Sequence, residues 1–437
     1  MTTELPARVR RGYALGSVAT GTFGTVPGLL LLPYLTDTIG VGAALAGVLV
    51  FAPKAWDVVL NPIAGRISDR STHPAGRRRP FLVRAGLTLA VLFAVLFAGP
   101  SEPRVLAAAW VAVAFLGCAS AYAFFQVPYV AMPAELTLDY EERTRLMTWR
   151  VVVLALAILV SGATAPLVAD QLGHRAMGVY VGAVIALGVL GAWWGTRGAP
   201  EHPGEAAPGT FADQLRLVAS NADFRAVLLT FMVQAAAIGT VLAGVAYVAD
   251  DLLDSAAAHT FLFLAFVGPA LLVTPLWERY AHTRGKRSGY AFSSAFLIVG
   301  MTTLLTAHAG WTTLTYVAAA LVGIGYAGAQ VFPMAMLPDV AADDAQRSGA
   351  NRIGVFTGVW TAGETLGLAM GPGIFAIALT VGGYVSSTGD ETVTQPDGAR
   401  LAIALGFSLV PAVLTALSLV ALRGYRLDDR LRSADVA

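Results

Sequence analysis

Residues 105–133 read VLAAAWVAVAFLGCASAYAFFQVPYVAMP and contain no charged side chain. A helix crossing the hydrocarbon core of a bilayer needs about 20 predominantly apolar residues. Residues 401–422 (LAIALGFSLVPAVLTALSLVAL) repeat the pattern near the other end of the chain. The composition agrees: of 437 residues 56% are apolar and 13% are charged, against roughly 25% charged in a soluble domain. Lipid, and not water, is the solvent that this chain is built for.

Working outward from these runs, hydropathy predicts spans near 12–36, 42–67, 81–100, 105–133, 147–170 and 176–196, then 223–249, 257–279, 288–308, 311–335, 353–384 and 399–423. The expected fold is therefore an all-α polytopic membrane protein with twelve transmembrane helices in two six-helix bundles. Between the bundles, residues 198–209 (GAPEHPGEAAPG) have the Gly, Pro and charge content of a linker. The expected domains are 1–197, a cytoplasmic linker 198–222, and 223–437 with a short cytoplasmic tail. Arg8, Arg10 and Arg11 precede the first apolar run as in a signal peptide, but the run from 13 to 35 is too long for a signal-peptide core and reads as the first span.

The formal net charge of +1 hides a segregation. Arginines crowd into 66–84, 143–150 and 423–432, whereas the opposite loops hold Arg104, Arg175 and Arg400 with acids such as Asp250, Asp251 and Asp254. Positive loops stay on the cytoplasmic side, so both termini are expected in the cytoplasm, with the chain multi-pass in the inner (plasma) membrane. Basic clusters placed between spans form no face for nucleic acid.

A repeat supports two related halves. After the second span come Asp69-Arg70, His73, Gly76, Arg77 and Arg78, and after the eighth come Glu278-Arg279, His282, Gly285, Lys286 and Arg287, at an offset of 209. Pro128 and Pro133 precede Arg143 as Pro333 and Pro338 precede Arg347. Parallel six-helix repeats with a substrate site near the midplane are a known transporter plan.

Four segments carry a closer resemblance. Residues 55–82 (AWDVVLNPIAGRISDRSTHPAGRRRPFL), Tyr34-Leu-Thr-Asp37, Gln126-Val-Pro-Tyr-Val-Ala-Met-Pro133 with Thr137-Leu-Asp139 and Glu142-Arg143, and residues 360–372 (WTAGETLGLAMGP) together span nearly the whole chain. They resemble the glycoside/pentoside/hexuronide cation symporters of the major facilitator superfamily, the family of melibiose permease, in which a WDxxxDP pattern precedes a basic GRxxP loop. The resemblance implies sugar-like cargo, alternating access and drive by sodium or protons. It also makes Asp57 the first acid of the cation motif.

The chain departs from that pattern. Lys54 and Asp57 lie three apart on one helix face, where they can pair, and the alternatives are a self-neutralised structural pair or a cation or proton site at Asp57. Asn61, on the same face, stands where the family usually has a second carboxylate, and Ala123 where a fourth-span threonine would add an oxygen. Sodium needs several hard oxygen ligands, so sodium coupling is not expected. A lone carboxylate can carry a proton, unless Lys54 holds it ionised. The family's sugar-binding carboxylates of the first and fourth spans are matched by Gly21 and Gln126, and a Glu-Lys pair of the eleventh span by Glu364-Thr365. An amide bonds hydroxyls in both directions. Candidate cargo contacts are Tyr122, Gln126, Arg150, Trp360, Thr361 and Thr365. Arg150 reads equally well as a snorkelling interfacial arginine, and Trp360 as packing or an interfacial anchor.

In the loop after the second span, Asp69, Arg70, Arg77, Arg78 and Arg79 form a gating candidate, repeated at Glu278 and Arg279, in which a charge pair to a neighbouring helix would close one state. Topology and headgroup binding are the plainer reading. No enzyme constellation is found. The histidines 73, 174, 202, 259, 282 and 308 lie in or beside loops without ligand spacing, the single Cys118 permits no internal disulfide, and no nucleophile-elbow, phosphate-loop or zinc pattern occurs. No cofactor or metal is expected. The expected partners are a small-molecule substrate, a coupling proton or none, and the lipid bilayer, with the protein a monomer. The function so read is transport of a sugar or glycoside, proton-coupled or uncoupled. The alternatives are a carrier or exporter of a less polar metabolite or amphipathic lipid, and a receptor or scaffold that keeps the fold without transport.

Overall fold

The computed structural model describes residues 5–74, 76–137, 140–199, 216, 220–348, 353–387 and 393–428. Among them there are helices and turns and no strand, as lipid requires of a chain that satisfies its backbone hydrogen bonds within each segment. The first span is Ala7–Pro33, extended by a π-helical turn Tyr34–Thr38. The second is Ala43–Asp69, the third Arg79–Leu96 and the fourth Arg104–Leu136. The seventh is Ala222–Tyr247, again ending in a π-helical turn, Val248–Leu252. The eighth to eleventh are Ala256–Arg284, Lys286–Thr303, Thr312–Ser348 and Ile353–Gly382. The twelfth is made of Asp397–Phe407 and Leu409–Leu422, broken at Ser408.

The fifth and sixth spans lie in one helical run, Tyr140–Thr196, interrupted at Gly173. Gly173 has φ 83° and ψ 162°, a conformation that a side chain would strain, so the chain reverses there and two spans result. The fifth begins at Tyr140 and not near 147, because the polar residues ahead of the apolar run are helical. Within that turn the Glu142 carboxylate accepts from the Leu5 amide (3.3 Å) and pairs with Arg10 (3.2 Å) and Arg145 (3.0 Å). Hydropathy cannot see such a turn.

The chain forms two compact units, Met1–Ala206 with Ser386–Glu391, and Ala207–Val385 with Thr392–Ala437. The short segment joins the first unit through Ser386, whose hydroxyl donates to the Val41 carbonyl (2.9 Å), and Ser387, whose hydroxyl donates to the Asp37 carbonyl (3.0 Å). One packing scheme recurs. The first span lies along the fifth and sixth, and the second and third lie against the fourth; likewise the seventh lies along the eleventh and twelfth, and the eighth and ninth against the tenth.

Small residues permit the closest of these crossings, as between helices in lipid, where tight packing replaces the hydrophobic drive. A Cβ on Gly12 would stand 2.4 Å from the Gly195 Cα, and one on Gly371 2.2 Å from the Gly239 carbonyl carbon. Outward faces are apolar: Val113, Leu187, Leu272 and Val381 are each at least 70% exposed, the pattern expected where lipid covers the surface.

Candidate functional site

In the first unit the polar residues of the second span converge. Asp57 is 1% exposed, and among the described residues neither carboxylate oxygen has a hydrogen-bond partner. Asn61, one turn on, has a buried Oδ1 in the same condition. The self-neutralised pair open to Lys54 and Asp57 by their spacing is not formed. The Lys54 ammonium instead sits 4.4 Å from the Phe23 ring centroid, 5.6 Å from that of Tyr122 and 5.9 Å from that of Phe115, all within cation–π range. The two charges still feel one another electrostatically. Phe23 and Tyr122 are themselves in contact, with centroids 4.6 Å apart, so the first and fourth spans supply the cage around an ammonium carried by the second.

Gly21 is not an empty position in a cavity. A Cβ there would stand 3.0 Å from both the Leu154 carbonyl oxygen and the Ala157 Cβ of the fifth span, so first and fifth spans close over the place where the family resemblance puts a carboxylate. Gln126 is half-buried, one turn from Tyr122. Arg150 holds its guanidinium 5.8 Å from the Tyr129 ring centroid, and its Nε is buried without a partner. The Tyr129 hydroxyl donates to the Tyr13 carbonyl (2.8 Å) and lies 2.8 Å from Ser17 Oγ. Arg150 thus faces a tied-down aromatic cluster and not a lipid headgroup region alone.

In the second unit Trp360 is 1% exposed and stacks on Phe231 at 4.5 Å and 27°. Burial of the whole side chain, with Phe231 on one ring face, fits the packing reading of this residue. Thr361 and Thr365 donate to carbonyls of their own helix, Thr357 O (3.0 Å) and Thr361 O (2.9 Å), and keep only acceptor capacity. Glu364 acts electrostatically on Tyr326, whose hydroxyl accepts from Gln330 Nε2 at 2.7 Å.

Tyr326 and Gln330 were not among the sequence candidates, although the sequence carries the signal. Tyr122-Ala-Phe-Phe-Gln126-Val in the fourth span and Tyr326-Ala-Gly-Ala-Gln330-Val in the tenth are copies of each other. Each unit therefore presents a phenol and an amide one helical turn apart, backed by an acid thirteen residues beyond the tyrosine, Glu135 or Asp339.

Those two acids hold the loop motif. Arg78, 7% exposed, donates through Nε (2.9 Å) and Nη2 (2.8 Å) to Glu135 Oε1 and through Nη1 (2.6 Å) to Ser68 Oγ. One arginine thereby ties the ends of the second and fourth spans together. In the second unit Lys286 pairs with Asp339 at 2.5 Å and donates to the Ala335 carbonyl at 3.0 Å, tying the ninth span to the tenth. The expected roles of Glu278 and Arg279 change accordingly: both are exposed and make no ion pair among the described residues. Arg70 is likewise exposed, the Asp69 side chain lies outside the described residues, and Arg77 is half-buried. Arg79 is buried and donates to the Ala199 carbonyl. The partners Glu135 and Asp339 sit just past the proline pairs, where apolar flanks make an acid look like a span end.

A family model described as MFS/sugar transport protein matches residues 12–429. YagG of Escherichia coli (strain K12), named as a glycoside/cation symporter, is 27% identical over 98% of this chain and 93% of its own length. Sodium-dependent lysophosphatidylcholine symporter 1 of Mus musculus is 22% identical over 96% of this chain and 85% of its own. Among solved structures the nucleoside transporter NupG superposes with a TM-score of 0.68 at 12% identity, covering 95% of this chain and 98% of that one.

Proposed function

Because the chain belongs to the MFS/sugar transport protein family and is a membrane transporter of the major facilitator type, not an enzyme, we propose that it moves a sugar or glycoside by alternating access, driven by protons or uncoupled, and not by sodium. The observation that carries the cargo class is the duplicated Tyr-x-x-x-Gln pair of the fourth and tenth spans. A phenol and a primary amide both donate and accept, which is what a ring of hydroxyls requires. In the second unit the Tyr326–Gln330 bond and the neighbouring Glu364 add an acceptor-rich patch. Against sodium stands the donor set that the family resemblance brings to Asp57: one carboxylate, one amide at Asn61 and an apolar Ala123, with the Lys54 ammonium on the same helix. By the positive-inside rule the Arg78–Glu135 and Lys286–Asp339 clasps face the cytoplasm, and they hold the cytoplasmic ends of the helices within each unit.

A second reading, carriage of an amphipathic lipid, has one observation in its favour: the mouse relative named as a lysophosphatidylcholine symporter aligns over nearly the whole chain. Ligand-dependent thermal stabilisation of the purified protein separates the two. A panel of mono- and disaccharides, glycosides and glucuronides is expected to raise the unfolding midpoint saturably. Stabilisation by lysophosphatidylcholine above its effect on an unrelated transporter, with none by any glycoside, selects the lipid.

A further inference from the structure

We propose that Lys54 is a tethered cation that serves Asp57 in place of a soluble coupling ion, its ammonium passing between the cage of Phe23, Phe115 and Tyr122 and the Asp57 carboxylate as the transporter changes state. The proposal rests on reading the chain as a transporter and deepens the account of its drive.

Three observations carry it. The Asp57 carboxylate is almost fully buried with both oxygens unpartnered, and a buried acid in that condition awaits a positive partner in some state of the molecule. The Lys54 ammonium is a nearby cation, and among the described residues it rests against ring faces, at 4.4, 5.6 and 5.9 Å. Each such contact is weaker than a charge-assisted bond to a carboxylate, but three act together, so cage and carboxylate compete for the ammonium on near-equal terms. Finally, residues three apart on a helix have Cβ atoms about 5–6 Å apart, and a lysine stem carries four flexible carbons. Rotation of side-chain torsions alone takes the ammonium from the cage to the carboxylate, with no backbone shift.

The chemistry of the site selects this cation over a dissolved one. A bare sodium ion needs several hard oxygens, and here Asn61 brings a neutral amide oxygen where the family resemblance puts a second carboxylate and Ala123 brings none, while an ammonium needs one carboxylate and finds aromatic faces for its resting position. A cation that never leaves the protein cannot couple cargo to an ion gradient, so the transporter runs as a facilitator or exchanger. What Lys54 supplies is the cycle itself: with the ammonium caged, Asp57 is uncompensated, and with it on Asp57 the cage is empty, so two arrangements of similar free energy exist, as alternating access needs.

The test uses the purified full chain and cations alone. Unfolding midpoints are measured for wild type, Lys54→Ala and Lys54→Ala/Asp57→Asn across a hundredfold range of sodium, lithium and methylammonium chloride, with choline chloride holding ionic strength. An ion that binds only the folded protein raises the midpoint with its concentration. Wild type should respond to none of them. Lys54→Ala should show saturable stabilisation by methylammonium, and the response should vanish in the double variant. Saturable stabilisation of wild type by sodium or lithium, or a folded Lys54→Ala that ignores all three ions, overturns the proposal. Where Lys54→Ala fails to fold, Asp57→Asn should restore folding, and a double variant that remains unfolded also overturns it. No cargo enters the assay, so a failure here leaves the sugar reading standing and the reverse holds equally.

Discussion

Removing the Glu135 carboxylate by Glu135→Gln takes the Glu135 charge from a buried guanidinium that still donates to Ser68 Oγ. Both side chains are 8% exposed, and Arg78 places two nitrogens on Glu135 Oε1, at 2.9 and 2.8 Å. Breaking a buried pair from one side costs about 3–5 kcal/mol, because the remaining charge is stranded, whereas an exposed pair is worth ~0–1 kcal/mol. Burial therefore sets the scale. Glu135→Gln should lose about 3 kcal/mol or more, Arg78→Met a similar amount, and the double variant much less than the sum. The cycle is read from detergent-induced unfolding of the purified protein in mixed micelles, with a coupling of about 2–3 kcal/mol expected for residues that share one network. A coupling below about 1 kcal/mol, the level of an exposed pair, would refute the argument that this clasp is dry and structural as well as conformational. The Lys286–Asp339 pair, with side chains 28% and 23% exposed, should give a smaller value, and Glu278→Gln none.

Three further outcomes follow from the site. Asp57→Asn removes the group on which a carried proton or the Lys54 ammonium acts, so turnover in reconstituted vesicles should fall at least about tenfold, ~1.4 kcal/mol on the barrier; unchanged turnover assigns Asp57 to structure. Gly21→Asp should not restore a sugar ligand but should destabilise by about 1–3 kcal/mol through overpacking, since its Cβ meets Leu154 and Ala157 at 3.0 Å. The unfolding midpoint and glycoside affinity of that variant check both halves. Trp360→Leu should lower stability by about 1–3 kcal/mol and leave the KM for cargo unchanged; a raised KM with intact stability would put Trp360 in contact with cargo.

The spans were legible because lipid imposes a strong, local composition on every one of them. Where polar side chains extend a helix, as at Glu142 in the turn from Tyr140, hydropathy ends the segment early. The loop motif was also legible, but not which of its charges is buried: Asp69, Arg70 and Arg78 look alike in sequence, and only packing against Ser68 and Glu135 distinguishes Arg78. In the second copy the same ambiguity favours Glu278 and Arg279, while the structure uses Lys286. The Tyr122–Gln126 and Tyr326–Gln330 copies are offset by 204 and the loop motifs by 209, so a search at one offset passes over the other. Lys54 illustrates a different limit. Helical spacing predicts which side chains can meet, and the choice between a carboxylate and three aromatic rings depends on the first and fourth spans, which spacing within the second cannot report.

Counterflow of labelled glycosides into proteoliposomes containing the purified chain tests the central claim most directly. Vesicles preloaded with unlabelled glycoside should take up the labelled form saturably and at the same rate in sodium and in choline buffers, and Gln126→Leu or Gln330→Leu should raise the KM. Uptake that requires sodium, or no glycoside flux from vesicles that do carry a lysophospholipid, would contradict the account.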